Sequence, residues 1–200
     1  TDTATASVIR DGDLYSGVRV TMHTRVAAAA VKLQLDVSTS DPVTPAPQQI
    51  TYPTLRDVHP EVHILGYPLP SVLAEKLCTA VDLGAGNSRV RDYADLWTLT
   101  GTQDLDAADL TPALAATARH RGVSLRALTA AIGNRTGPAY PTARAATYTA
   151  YRRRLGPGAD RLPVDFTTVV ADVVAFADPL LEGTLPAGAR WRPELRAWQT

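Results

Sequence analysis

Two hundred residues, 45% of them apolar, suffice to bury the core of one large domain or two small ones. A formal net charge of zero argues against a surface that grips nucleic acid all over, while leaving room for a local basic patch. A single cysteine, Cys78, excludes an internal disulfide. No apolar run has the length of a bilayer span and residues 1–10 hold no signal-peptide core, so a cytosolic (cytoplasmic) protein is expected.

Along the chain, Asp11-Gly12-Asp13 reads as a turn ahead of the first strand. Val18, Val20 and Met22 then alternate with Arg19, Thr21 and His23. Val31, Leu33, Leu35 and Val37 alternate with Lys32, Gln34 and Asp36. This period of two predicts two half-buried strands, and the short link 24–30 allows an antiparallel pair. Pro42, Pro45, Pro47, Pro53, Pro60, Pro68 and Pro70 predict an extended connection, with a short strand near 49–52. From Ser71 the pattern turns helical. Ser71 is the expected N-cap of a helix ending near Gly84, and Asn87 or Ser88 that of a second running to about Leu99. Further helices are expected near 110–121, 124–132, 142–155 and 164–181, punctuated by Gly122, Gly133, Pro141 and Gly156-Pro157-Gly158. The outline is α+β: sheet strands with a proline-rich connection over 1–70, then a helical domain over 71–200.

The residues that carry chemistry cluster on the two helices after Ser71. In the second, Val90, Tyr93, Ala94 and Trp97 form an apolar stripe at i, i+3, i+4 and i+7. Asp92 and Asp95 neighbour each other beside it, with Arg89 three before the first and Arg91 four before the second. Two readings fit: a solvated face with two weak ion pairs, or two carboxylates set at a cleft for metal or proton work. In the first helix, Val72, Leu73, Leu77, Ala80 and Val81 make the stripe, Glu75 falls on the wetter side, and Lys76 sits at the stripe's edge. Lysine occurs only at Lys32 and Lys76 in this arginine-rich chain. Lys76 is either a snorkelling stem or a partly desolvated ammonium held against an anion such as a triphosphate. Asp36, on a strand, is either solvated polarity or a fixed carboxylate suited to a metal. His23, His59, His63 and His120 lack metal-ligand spacing. Arg119-His120-Arg121 and Arg152-Arg153-Arg154 are basic clusters that read first as solvated helix ends and second as RNA contacts.

Read in order, these segments resemble one family. Gly17-Val18-Arg19-Val20, Leu33-Gln34-Leu35-Asp36-Val37, Ser40-Asp41-Pro42-Val43-Thr44-Pro45 and Tyr52-Pro53-Thr54-Leu55 are similar to the middle of the AbiEii/AbiGii-type nucleotidyltransferase toxins, the group that includes the MenT toxins. Ala74-Glu75-Lys76-Leu77 and the run from Asn87 to Trp97 resemble its two later motifs. The resemblance implies a partial polymerase-β-like nucleotidyltransferase sheet followed by a helical domain. It also implies a Mg²⁺-dependent toxin of a toxin–antitoxin system that transfers nucleotides from a nucleoside triphosphate to RNA, the tRNA 3′ end above all (tRNA modification). Its partners are then the triphosphate, tRNA and a cognate antitoxin, with no membrane. Carried over residue by residue, Lys76, Asp92 and Asp95 are the catalytic candidates, Lys76, Arg89 and Arg91 the nucleotide-binding ones, and Asp36 the metal ligand. In the family's register the Asp-x-Asp metal motif belongs ahead of Thr1, and Asp11-Gly12-Asp13 has its letters but stands on a turn. Besides transfer to RNA, two alternatives stand: transfer to a protein or small-molecule acceptor, and a non-catalytic remnant that binds nucleotide, RNA or an antitoxin.

Overall fold

The alternating residues form the expected antiparallel pair, β2 (Gly17–Val26) and β3 (Ala29–Ser38), in register Val18↔Val37, Val20↔Leu35 and Met22↔Leu33, but β3 is exposed along its length rather than half-buried. The chain reverses between them in two residues, with Ala27 at a φ of 54°. A strand not expected from the sequence, β1 (Thr3–Ile9), pairs antiparallel with β2 and completes a three-stranded sheet. Its small residues, Ala4, Ala6 and Val8, continue the apolar face, but threonine and alanine alternation carries little hydrophobic contrast. This computed structural model describes residues 3–9, 17–38, 42–54, 58, 60–133 and 139–200. Asp11-Gly12-Asp13, Ser40, Asp41, Leu55 and His59 lie outside them.

The chain divides into two units, residues 1–42 and 43–200. The second begins with β4 (Gln48–Tyr52), the short strand expected from the sequence, paired antiparallel with β5 (Val62–Gly66). β5 falls where only an extended connection was expected.

Helix α1 (Leu69–Leu83) starts two residues before Ser71, because Pro68 and Pro70 suit a first turn whose N–H groups need no partner. Ser71 is therefore not the cap. It is buried inside the first turn, where its hydroxyl donates to the Thr44 carbonyl at 2.7 Å and accepts the Thr44 N–H at 2.9 Å. Gly84 ends the helix at a φ of 50°. Helix α2 (Val90–Thr100) follows a single 3-10 turn, Gly84–Gly86. Helix α3 (Ala107–Arg121) begins earlier than expected, since Asp106 caps it by accepting the Ala108 N–H and Pro112 is tolerated near its start. The helix expected over 124–132 shrinks to one turn, α4 (Leu128–Ala131). Helix α5 (Ala139–Leu155) takes Pro141 into its first turn, and α6 (Phe166–Leu181) is capped by Asp165.

The core of this unit lies where α1, α2, α3 and α6 meet. Leu73, Leu77, Tyr93, Leu96, Leu110, Val169, Val173 and Phe176 are buried there. A second small sheet, β6 (Leu105–Asp106), β7 (Arg190–Arg192) and β8 (Ala197–Gln199), was not expected. Trp191 on β7 is fully buried, and its indole N–H donates to the Thr100 carbonyl at 2.7 Å. The architecture is α+β. Among the described residues no helix is long and apolar enough to cross a membrane.

Candidate functional site

Lys76 extends from the rim of the buried face of α1 toward α2. Its ammonium donates to Asp95 Oδ2 at 2.7 Å and to Asp92 Oδ1 at 3.0 Å. The two aspartates are three residues apart on one helix and so present both carboxylates to one cation. About a fifth of the lysine and Asp92 side chains remains exposed, and about a third of Asp95. Burial works against the Lys76 ammonium, but the hydrogen bonds it donates to Asp95 and Asp92 outweigh it, so its pKa stands above the usual lysine value. Arg91 adds a looser contact, Nε lying 3.8 Å from Asp95 Oδ2.

The ion pairs inferred from helix spacing are thus only partly formed. Arg91–Asp95 exists, but Asp92 faces Lys76 from another helix, and no Arg89–Asp92 pair forms among the described residues. Glu75 is not on a wet face either. Its carboxylate lies 3.8 Å from Arg121 of α3, whose guanidinium also donates to the Glu75 carbonyl and to Thr79 Oγ1.

The start of α2 is held by residues that spacing did not mark. Asn87 is fully buried and accepts the Arg89 N–H on Oδ1 at 2.8 Å, a turn ahead of the helix rather than a cap within it. Two side chains of α5 then grip the Asn87 carbonyl, Tyr140 Oη at 2.9 Å and Arg144 Nε at 3.0 Å. Arg144 Nη2 also donates to the carbonyls of Ala85 and Gly86 at 3.3 Å. A guanidinium has enough donors for this, and three carbonyls left without a helix partner gain one.

Beside that start lies a groove of about 450 Å³. Ser88, Arg89, Val90 and Arg91 form one wall, and Thr147, Ala150, Tyr151 and Arg154 of α5 the other. The α5 residues are spaced i, i+3, i+4 and i+7, one face of a helix. Burial pushes the Tyr151 phenol above its usual pKa, and it feels the charges of Asp95, Arg91 and Lys76, so it sits where groove and lysine cluster adjoin.

The family described as "Nucleotidyl transferase AbiEii toxin, Type IV TA system" matches residues 1–177. The chain belongs to this family. No curated protein and no solved structure matches it. As an AbiEii-family chain it is a toxin-type nucleotidyltransferase of a toxin–antitoxin system, for which the family implies a nucleotide substrate and an antitoxin partner.

Asp36 lies in the first unit of this AbiEii-family chain, away in sequence from the Lys76 cluster. It faces Arg19 across the strand pair, and the guanidinium donates to both its oxygens, at 2.7 and 2.8 Å. That contact holds the Arg19 pKa above its ordinary value, chiefly through the Asp36 hydrogen bond. A cation at Asp36 would first have to displace this bidentate pair. Among the described residues no three His, Cys, Asp or Glu side chains converge in a way that holds a metal. The described residues therefore do not by themselves fit Mg²⁺, and no chemical step is assigned to it.

Proposed function

We propose that this AbiEii-family protein transfers nucleotide from a nucleoside triphosphate to RNA, with the tRNA 3′ end as acceptor. The observation that carries the reading is the Lys76 ammonium, half-buried and fixed between Asp92 and Asp95 beside an arginine-lined groove. Two of its three N–H donors serve the aspartates, which leaves one for a phosphate oxygen. As the bond to the leaving pyrophosphate breaks, negative charge grows on that group, and a pre-oriented ammonium offsets it without reorganising. Asp92 and Asp95 then act as positioning residues that keep Lys76 charged and aimed. Arg91, next to Asp95, brings further positive charge for the nucleotide's phosphates, and Arg89 adds positive charge at the adjoining groove. Asp36 is the proposed metal ligand by the family's register, and the tRNA 3′ end is the proposed acceptor by the family resemblance.

The test is incorporation of labelled nucleotide into total tRNA by the natural protein that contains this chain, with Mg²⁺ present. Lys76→Ala should lower the rate by at least about a hundredfold, the scale of losing one pre-organised charge at a developing anion. Circular dichroism should show the fold retained. Full activity in a folded Lys76→Ala variant would refute the assignment. Absence of transfer in the wild type, with antitoxin binding retained, would favour the non-catalytic binder.

A further inference from the structure

We infer that the groove between the start of α2 and the last turns of α5 takes a single-stranded polynucleotide, with phosphates on Arg89 and Arg154 and a base against the ring of Tyr151. This deepens the transferase reading and rests on it. It assigns a place for the acceptor strand and brings in Tyr151, which no motif marks, beside Arg154 of the basic cluster on α5.

Three observations carry it. Among the described residues neither Arg89 nor Arg154 makes a side-chain hydrogen bond or ion pair, and both are exposed. Two uncompensated guanidinium groups on facing walls are therefore available to anions, whereas Arg91 also makes a loose contact with Asp95. Next, the arginine triplet at the end of α5 divides by function. Arg152 is tied to the carbonyls of Ala159 and Leu162, at 3.0 and 3.4 Å, while Arg154 lines the groove. Finally, the lining between the charges is largely apolar: Ala150 and the Tyr151 ring supply that surface beside the small hydroxyls of Ser88 and Thr147. Cations at the walls with an aromatic platform between them match a strand, which alternates charged phosphates with flat apolar bases. A nucleoside triphosphate carries its charge on one side of its base, whereas cations on both walls with the platform between them suit a base flanked by two phosphates. Arg91, which lines the groove, also lies 3.8 Å from Asp95 of the Lys76 cluster, so the groove adjoins the proposed reacting group.

The experiment is fluorescence anisotropy with a labelled single-stranded RNA of about ten nucleotides, a length within the usual span of such sites. Arg89→Ala and Arg154→Ala should each weaken binding about five- to tenfold and flatten the slope of log K against log salt by about 0.7. Tyr151→Leu should weaken it about tenfold with the slope unchanged, since stacking releases no counterions. Arg119→Ala, an exposed arginine in the last turn of α3, should bind as the wild type does. Circular dichroism of each variant checks the fold. Wild-type affinity in both Arg89→Ala and Arg154→Ala overturns the inference. So does a pattern in which these variants lose adenosine triphosphate but keep RNA, since the groove would then be a mononucleotide site. Arginine-dependent strand binding without nucleotide transfer would remove the transferase reading and leave the groove standing. Transfer with arginine-independent binding would do the reverse.

Discussion

At the scale of the residue, Lys76 shows how a half-buried charge is tolerated. Its desolvation is offset by two charge-assisted hydrogen bonds, and removing either acceptor leaves the ammonium short of one. Asp92→Asn and Asp95→Asn should each cost about 1–2 kcal/mol in urea unfolding, a range set by partly exposed charge-assisted bonds. Each should reduce nucleotide transfer by more than that loss explains. Normal transfer in both variants would mean an ordinary structural ion pair. The same cluster sets a pH signature. The folded pKa of Lys76 is raised, so its contribution is fully present below the ordinary lysine value of 10.5 and is lost as pH rises through the higher folded value. The unfolding free-energy gap between wild type and Lys76→Met should therefore stay level from about pH 7 to about pH 9 and shrink only in strong alkali. A gap that decays within the lower range would place the stabilisation on another group.

Among the elements, α5 does two jobs. Its first turns carry Tyr140 and Arg144 onto the turn that launches α2, and its later turns line the groove with the same face. The aim of Arg89 thus depends on a helix far later in the chain, because Asn87 ties the Arg89 N–H while α5 ties Asn87. Arg144→Ala should lower stability by about 1–2 kcal/mol, as several hydrogen bonds to one guanidinium are lost together. It should also speed hydrogen exchange of the amides over 87–92. Arg144→Lys should recover only part of the loss, since a point-like ammonium cannot fork across three carbonyls. Exchange at wild-type rates in Arg144→Ala would show that α2 is seated by its own buried stripe alone.

For the molecule as a whole, the family match ends at residue 177 but the packing of the second unit does not. Trp191 and Trp198 bring rings within 5.0 and 5.3 Å of Phe176 in α6, and Trp198 donates to the Phe176 carbonyl at 2.9 Å. Arg196 lies 4.0 Å over the Trp97 ring and 3.3 Å from Asp172, which also accepts the Trp97 indole N–H. The last residues therefore anchor α2 to α6 from outside the matched region. Trp191→Ala should cost about 3–5 kcal/mol, the usual range for emptying a buried aromatic site. That is a large share of a typical domain's stability, so the midpoint of thermal unfolding should fall sharply. A shift of only a degree or two would mean that β7 is an appendage rather than part of the core.

Local periodicity was legible in the amino-acid order alone. Alternation placed β2 and β3 and their antiparallel pairing. Helical spacing found the buried faces of α1 and α2, and Gly84 and Gly122 marked helix ends. Order along the chain was enough to bring Lys76, Asp92 and Asp95 together through the family resemblance. Tertiary structure decided the rest, for reasons of geometry. Spacing offered Asp92 and Asp95 arginine partners three and four residues away, but a more buried ammonium from α1 makes the shorter contact to both, and only the Arg91–Asp95 pair forms beside it. Ser71 looked like a cap and became an anchor for Thr44, because two prolines moved the helix start. β1 and β5 escaped notice because their pairing partners, not their own sequences, make them strands. Arg152 and Arg154 carry the same charge two residues apart. Successive residues on a helix turn about 100° from one another, so only the packing of α5 against α2 could send one to backbone carbonyls and the other to the groove.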